Sequence, residues 1–156
     1  MQQQSHSIIF AAVFFSVFLL LAPARALMTS DGDMVQLESY DNALALVERE
    51  SFGEAVAQLT SILREHPRHA NAWNLLGYSQ RHLGNFDAAE KAYANALSIT
   101  PGHLGALNYS GQMYIQTGRI DEARVALEQL KVACDGACEE YRQLERAIRD
   151  GVVGKY

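Results

Sequence analysis

The sequence repeats itself with a period of 34 residues. Small, aromatic and proline residues come into register at this offset: Ala55 with Ala89 and Ala123, Leu59 with Tyr93 and Leu127, Phe52 with Phe86 and Ile120, Pro67 with Pro101, Gly77 with Gly111, and Gly84 with Gly118. A period of roughly 20 to 50 residues is typical of repeat proteins, in which each unit buries its apolar face only against its neighbours. The chain is therefore predicted to fold as a stack of similar units.

Each unit is predicted to be a pair of antiparallel helices. In the middle unit, residues 70–83 and 86–99 both carry apolar residues at helical spacing. Gly84 between them suits a helix C-terminus, where a left-handed backbone is favoured. Gly77 and Ala89 are small, which predicts a close approach of the two helices, although a glycine inside a helix costs roughly 1 kcal/mol.

The middle unit resembles the tetratricopeptide repeat family. It carries the family motif as Trp73, Leu76, Gly77, Gly84, Ala89, Tyr93, Ala96 and Pro101. It departs from the motif at Gln80, where the family prefers a tyrosine, and the third unit restores that residue as Tyr114. The resemblance implies an all-α fold, a right-handed α-solenoid of three helix-turn-helix repeats at about residues 36–69, 70–103 and 104–137.

The two ends of the array differ from the middle unit. The first unit has Ser39 and Asn42 where the family has large apolar residues, as expected of a terminal repeat with a neighbour on one side only. Residues 138–150 place apolar side chains on one side and charges on the other, which predicts a C-terminal capping helix over the third repeat. Residues 27–35 are predicted to be a linker, and residues 151–156 a tail.

Residues 1–26 are predicted to be a signal peptide. An uncharged apolar run from Ile8 to Ala22 precedes the small-residue pattern Ala24-Arg25-Ala26. This arrangement is typical of a secretory signal, whereas a membrane-spanning helix needs about 20 apolar residues. The first seven residues contain no Lys or Arg, so an uncleaved membrane anchor is the alternative. The chain resembles a small exported bacterial repeat protein and is expected in the periplasm or outside the cell.

Cys134 and Cys138 are the only cysteines in the chain, and we expect them to form a disulfide in an oxidising compartment. In an unbroken helix, residues four apart have Cβ atoms about 5–6 Å from each other, too far for a disulfide. Asp135 and Gly136 form a turn signal that ends the helix and lets the sulfurs meet. A redox-active pair and a zinc site are the less favoured alternatives, because the spacing is C-x3-C and zinc needs two further ligands.

The charge and the motifs exclude several classes of function. The formal net charge is −5, and Lys and Arg form no basic face, so no nucleic-acid partner is expected. The sequence contains no G-x-S-x-G, no phosphate-binding glycine loop and no H-E-x-x-H. The chain is therefore predicted not to be an enzyme and to hold no cofactor.

Four histidines suggest a metal site: His66, His69, His82 and His103. His69 and His103 lie one repeat apart at corresponding turns, so they are not expected to share an ion. Surface roles are favoured for all four, and no metal is predicted.

The resemblance implies a binding function. In tetratricopeptide proteins the first helices of successive repeats line a concave groove that holds an extended or helical segment of a partner. The corresponding positions here are Tyr40, Leu44, Val47, Asn71, Asn74, Tyr78, Arg81, Asn108, Gln112 and Ile115. Side-chain amides can bind a peptide backbone through both donor and acceptor, Tyr78 offers contact area and Arg81 a charge. For each position the alternative is an ordinary solvated side chain.

One variant of the family is excluded. The carboxylate-clamp type, which binds chaperone C-termini, needs Lys, Asn and Arg at positions occupied here by Tyr40, Leu44, Leu75, Gly105 and Tyr109. The predicted partner is therefore another protein or peptide. The alternative function is structural: the repeats assemble with themselves, as a homo-oligomer, or within a larger complex of the cell envelope.

Overall fold

The computed structural model describes residues 31–151, with side chains from Ser39 onward. This part of the chain forms seven α-helices and no strand. The helices are α1 (Asp31–Glu48), α2 (Phe52–Glu65), α3 (Ala70–His82), α4 (Phe86–Ile99), α5 (Leu104–Gln116), α6 (Ile120–Cys134) and α7 (Glu139–Asp150). The predicted signal peptide, residues 27–30 of the predicted linker and residues 152–156 of the predicted tail lie outside the described residues.

The helices pack as three successive hairpins, α1 with α2, α3 with α4, and α5 with α6, followed by α7. α3 also contacts α1 and α5, and α5 contacts α7. The first helices of the hairpins therefore form one layer, and α7 continues that layer as the first helix of a further repeat would. This arrangement confirms the predicted all-α solenoid of helix-turn-helix repeats. None of the helices within residues 31–151 combines the length and apolar composition of a membrane span.

The core is divided among neighbouring hairpins. The first cluster joins α1, α2 and α3 around Leu59 and Leu75. The second joins α3, α4 and α5 around Tyr93 and Met113, and the third brings α7 onto α5 and α6 through Leu144. Every cluster includes residues from two successive units, because one helix pair cannot bury its apolar face alone.

The turns inside the hairpins use a left-handed residue. Gly84 follows α3 with a φ of 80°, and Gly118 follows α5 with a φ of 75°, as the repeat pattern predicts. The corresponding residue after α1 is Glu50, with a φ of 58°. A non-glycine residue in this conformation is uncommon.

The start of α1 differs from the predicted linker at residues 27–35, since the helix begins at Asp31. At the other end, α6 terminates at Cys134, and Asp135 and Gly136 both have positive φ, of 51° and 67°. This turn brings the Cα atoms of Cys134 and Cys138 to 5.7 Å, and the two residues form a disulfide.

Candidate functional site

A groove opens on the layer of first helices. It has a volume of about 680 Å³ and is lined from α1, the α1–α2 turn, α2, α3 and α5. Its lining consists of Tyr40, Leu44, Val47, Glu48, Glu50, Phe52, Asn74, Leu75, Tyr78, His82 and Tyr109. Five of the ten residues predicted for the groove are among them: Tyr40, Leu44, Val47, Asn74 and Tyr78.

The base of the groove is aromatic. The ring of His82 lies 4.5 Å from that of Phe52 and 4.3 Å from that of Tyr78, measured between centroids. The Tyr78 ring in turn lies 4.9 Å from that of Tyr109. Phe52, Tyr78, His82 and Tyr109 form what we name the aromatic floor. Such rings offer large contact areas and polar edges, a combination that is enriched in protein interfaces.

Apolar residues of α1 form one wall of the groove. Leu44 is 38% exposed and offers an aliphatic side chain to a ligand. Tyr40 stacks on His69 at a centroid distance of 4.9 Å. Burial, with a smaller contribution from Asp41, raises the pKa of Tyr40. The phenol therefore stays neutral at physiological pH and adds no charge to this wall.

Asn74 of α3 adds a side-chain amide to the lining. Asn74 is half-buried, and its Oδ1 atom is shielded from solvent without a hydrogen-bond partner among the described residues. The amide nitrogen of Asn74 lies close to Gly105 of α5. A Cβ atom added to Gly105 would be only 3.2 Å from Asn74 Nδ2. A buried acceptor without a partner costs free energy, so Asn74 is a point of the lining at which a hydrogen bond is missing.

The groove carries negative charge. Glu48 and Glu50 are the only acidic residues of its lining, which contains no Lys or Arg, and both are exposed. Within residues 39–151 neither carboxylate makes an ion pair.

The structure places Arg81 beneath the groove rather than on its lining. Arg81 is 4% exposed, and its Nη1 atom donates to Oε1 of Gln116 at 3.2 Å. Its guanidinium carbon lies 5.4 Å from the centroid of the Tyr78 ring. Arg81 therefore supports the aromatic floor from the protein side.

Asn108 and Gln112 are 1% and 0% exposed, because α7 covers them. Asn108 Nδ2 donates to Gln143 Oε1 of α7 at 3.0 Å, and Gln112 Nε2 donates to Asn108 Oδ1 at 3.0 Å. These amides connect α5 to the capping helix. Ile115 also packs against the third core cluster.

Asn71 lies in the first turn of α3, outside the groove lining. Its Oδ1 atom is 2.9 Å from Nε2 of His103, and Nδ1 of His103 accepts the backbone N–H of Ala106 at 3.2 Å. Because Nδ1 accepts, Nε2 carries the proton and donates to Asn71. His69 caps α3 in the same way, accepting from Ala72. Burial lowers the pKa of both histidines below 6.5, so both are neutral caps at physiological pH.

Sequence reasoning missed several residues of the groove: Glu48, Glu50, Phe52, Leu75, His82 and Tyr109. Phe52 belongs to α2, the second helix of its hairpin, whereas the predicted groove contained residues of first helices alone. His82 lies four residues after Tyr78 and therefore on the same face of α3, so helical spacing would have predicted it. Leu75 and Tyr109 occupy positions at which the carboxylate-clamp type carries polar or basic residues. Within the described part of the chain, no three His, Cys, Asp or Glu residues are grouped as a metal site would require.

The stacked helical hairpins define a protein of the α-repeat class. Two tetratricopeptide repeat models match the sequence, one over residues 40–103 and the other over residues 80–148. Together they extend over well more than half of the 156-residue chain. The chain belongs to the tetratricopeptide repeat family. No curated protein matches it significantly.

Solved structures with a similar fold include the type III secretion translocator chaperone SycD of Yersinia enterocolitica, in an alternative dimer. That match has a TM-score of 0.67 and 14% sequence identity, and it covers 76% of this chain and 89% of the SycD chain. A chain of the CopN–Scc3 complex has a TM-score of 0.64 and 20% identity over 78% of this chain and 70% of its own. A MamA mutant has a TM-score of 0.58 and 24% sequence identity, and the match covers 71% of this chain and 62% of the MamA chain. These likenesses establish the fold.

Proposed function

We propose that this protein is an exported protein–protein interaction module that binds a peptide segment or helix of a partner in the groove. The observation that carries the proposal is the groove of about 680 Å³ with its aromatic floor, the exposed Leu44 and the half-buried Asn74 in its lining. The half-buried side-chain amide of Asn74 would hydrogen-bond with the backbone of a bound segment. The aromatic floor and Leu44 would take up the apolar side chains of the same segment.

The structural neighbours support a binding role. SycD is a translocator chaperone, and another neighbour was solved as the CopN–Scc3 complex. The tetratricopeptide fold is generally a non-enzymatic scaffold for protein interactions, and we infer that this chain has no catalytic activity. Its groove offers contact area and one polar anchor rather than convergent reactive groups.

Export is supported by the sequence of residues 1–26 and by the disulfide. A bridge between Cys134 and Cys138 suits the oxidising conditions of the periplasm or the extracellular space. Amino-terminal sequencing of the mature protein is expected to begin at Leu27. Recovery of the full-length chain from the membrane fraction would instead identify residues 1–26 as an anchor.

Site-specific photo-crosslinking tests the groove. A photoreactive amino acid at Leu44 places the probe in the groove, and the same amino acid at Val132, which is 82% exposed on α6, is the control. We expect a discrete adduct with a partner from Leu44 alone. A second substitution, Asn74→Ala, should reduce that adduct. Adducts formed only from Val132 would place the interaction on α6 and contradict the groove.

Self-assembly is the second candidate function. Val125 and Val132 of α6 are 59% and 82% exposed, and together with Pro101 and Gly102 they form a patch away from the groove. A second copy covering this patch would remove apolar surface from water. Light scattering of wild type and Val132→Gln distinguishes the candidates, because a stable oligomer that dissociates on this substitution would favour self-assembly.

A further inference from the structure

Glu50 stands where the other two hairpins use glycine. It corresponds to Gly84 and Gly118 and adopts the same left-handed backbone, with a φ of 58°. Glycine takes this conformation without strain, whereas an L side chain there costs free energy. The fold itself therefore favours glycine at this position, and a glutamate is retained against that preference.

The helix dipole also opposes negative charge here. Glu48 lies in the last turn of α1 and Glu50 just beyond it, and this turn contains no basic residue. The C-terminus of a helix carries partial negative charge, so carboxylates near it are unfavourable. Arg49 lies between them but does not line the groove. Two independent local preferences are thus violated at the same place, as is typical of functional positions.

The property that Glu48 and Glu50 share is their position on the groove. Arg81 of α3 is buried beneath the floor and interacts with Gln116 and Tyr78. His82, whose Nε2 lies 3.4 Å from Nη2 of Arg81, is the only basic residue of the lining. The solvent-facing charge of the groove is consequently negative, and it matches the net charge of −5 of the chain.

We propose that the groove selects a partner segment that carries a Lys or Arg next to an apolar side chain. The cationic group pairs with Glu48 and Glu50 at the end of α1, and the apolar side chain packs between Leu44 and the aromatic floor. This inference rests on the proposed function, because it specifies what the groove binds. Complementary charge steers association and excludes acidic segments.

Selection of short random peptides displayed on phage against the full chain, with its disulfide formed, tests this specificity. Leu44→Gln removes the apolar wall and identifies peptides that occupy the groove. Leu83→Gln is its matched control, since Leu83 is exposed and lies outside the groove lining. We expect groove-dependent peptides to be enriched in Lys and Arg beside an apolar residue. The double variant Glu48→Gln/Glu50→Gln should weaken their binding roughly threefold to thirtyfold, with a smaller difference at high salt.

Two further variants separate charge from fold. Glu65→Gln removes one exposed carboxylate outside the groove and should leave peptide binding unchanged. Glu50→Gly restores the residue found in the other hairpins, and we expect it to raise the melting temperature while weakening binding. A purely structural role of Glu50 would not produce these opposite effects.

The outcomes distinguish the two proposals. Groove-dependent peptides without basic residues, or with binding unaffected by the glutamine variants, would overturn the specificity and leave the groove as a binding site. A selection in which no peptide depends on Leu44 would overturn the proposed function, and the specificity with it.

Discussion

Gly77 of α3 lies directly against the ring of Tyr93 of α4. A Cβ atom built on Gly77 would come within 2.6 Å of Tyr93 Cε1 and 2.7 Å of Cδ1. Tyr93 is 1% exposed, so its ring has little room to move. The glycine that a helix would normally disfavour is therefore required by the packing of this hairpin.

Gly77→Ala is expected to lower the free energy of unfolding by about 1–3 kcal/mol, because the added methyl group overpacks the Tyr93 ring. Gly53→Ala is the control, since nothing lies within 4 Å of a Cβ atom at Gly53. It should raise stability by about 0.5 kcal/mol, as alanine is the better helix former. Urea unfolding of the two variants checks this. Equal effects would show that helix propensity, rather than packing, determines both.

Asn108→Ala is expected to lower stability by about 1–3 kcal/mol, because it leaves Gln112 and Gln143 without their buried amide partner. The loss should be concentrated in α7, which hydrogen exchange measures directly. Asn95→Ala, at an exposed position of α4, is the control and should be nearly neutral. Unchanged exchange in α7 would contradict a role of Asn108 in holding the capping helix.

Acidic pH should weaken the neutral histidine caps of α3 and α5. Burial holds the pKa of His69 and His103 below the ordinary value of 6.5, so folding opposes their protonation. Their contribution to stability is complete above 6.5 and is lost as pH falls through their folded pKa values. Urea midpoints between about pH 7 and 5 measure this. The double variant His69→Asn/His103→Asn keeps a capping side chain without a titrating group, and should flatten the profile; an unchanged slope would assign it to other groups.

Removal of the disulfide should act locally. Replacing Cys134 and Cys138 by serine is expected to lower stability by about 1–2 kcal/mol, because a very short closed loop stabilises less than the roughly 3 kcal/mol of a 15-residue loop. Amide exchange should accelerate from Ala126 to Ile148 and leave the first two repeats folded. Mass spectrometry of the native protein under non-reducing conditions should show both thiols oxidised. Two freely alkylated thiols would contradict the disulfide.

Much of the fold follows from the sequence because its signals are local. The period of 34 residues, the small residues of each hairpin and the turn glycines Gly84 and Gly118 act within one helix pair. The turn at Asp135 and Gly136 is equally local, so the end of α6 and the proximity of the two cysteines could be predicted. The start of α1 at Asp31 was not, because the first repeat lacks the family's apolar residues.

The groove depends on neighbours that a repeat pattern does not contain. Helical spacing places Asn74 and Asn108 on corresponding faces one repeat apart, yet only Asn74 lines the groove, because α7 covers Asn108. Arg81 is directed beneath the floor by Gln116 of the next repeat. The sequence by itself determined that the chain would stack helix pairs and where each helix pair turns. Tertiary structure decided which polar side chains face solvent, since burial depends on the helix packed alongside and not on the position within the repeat.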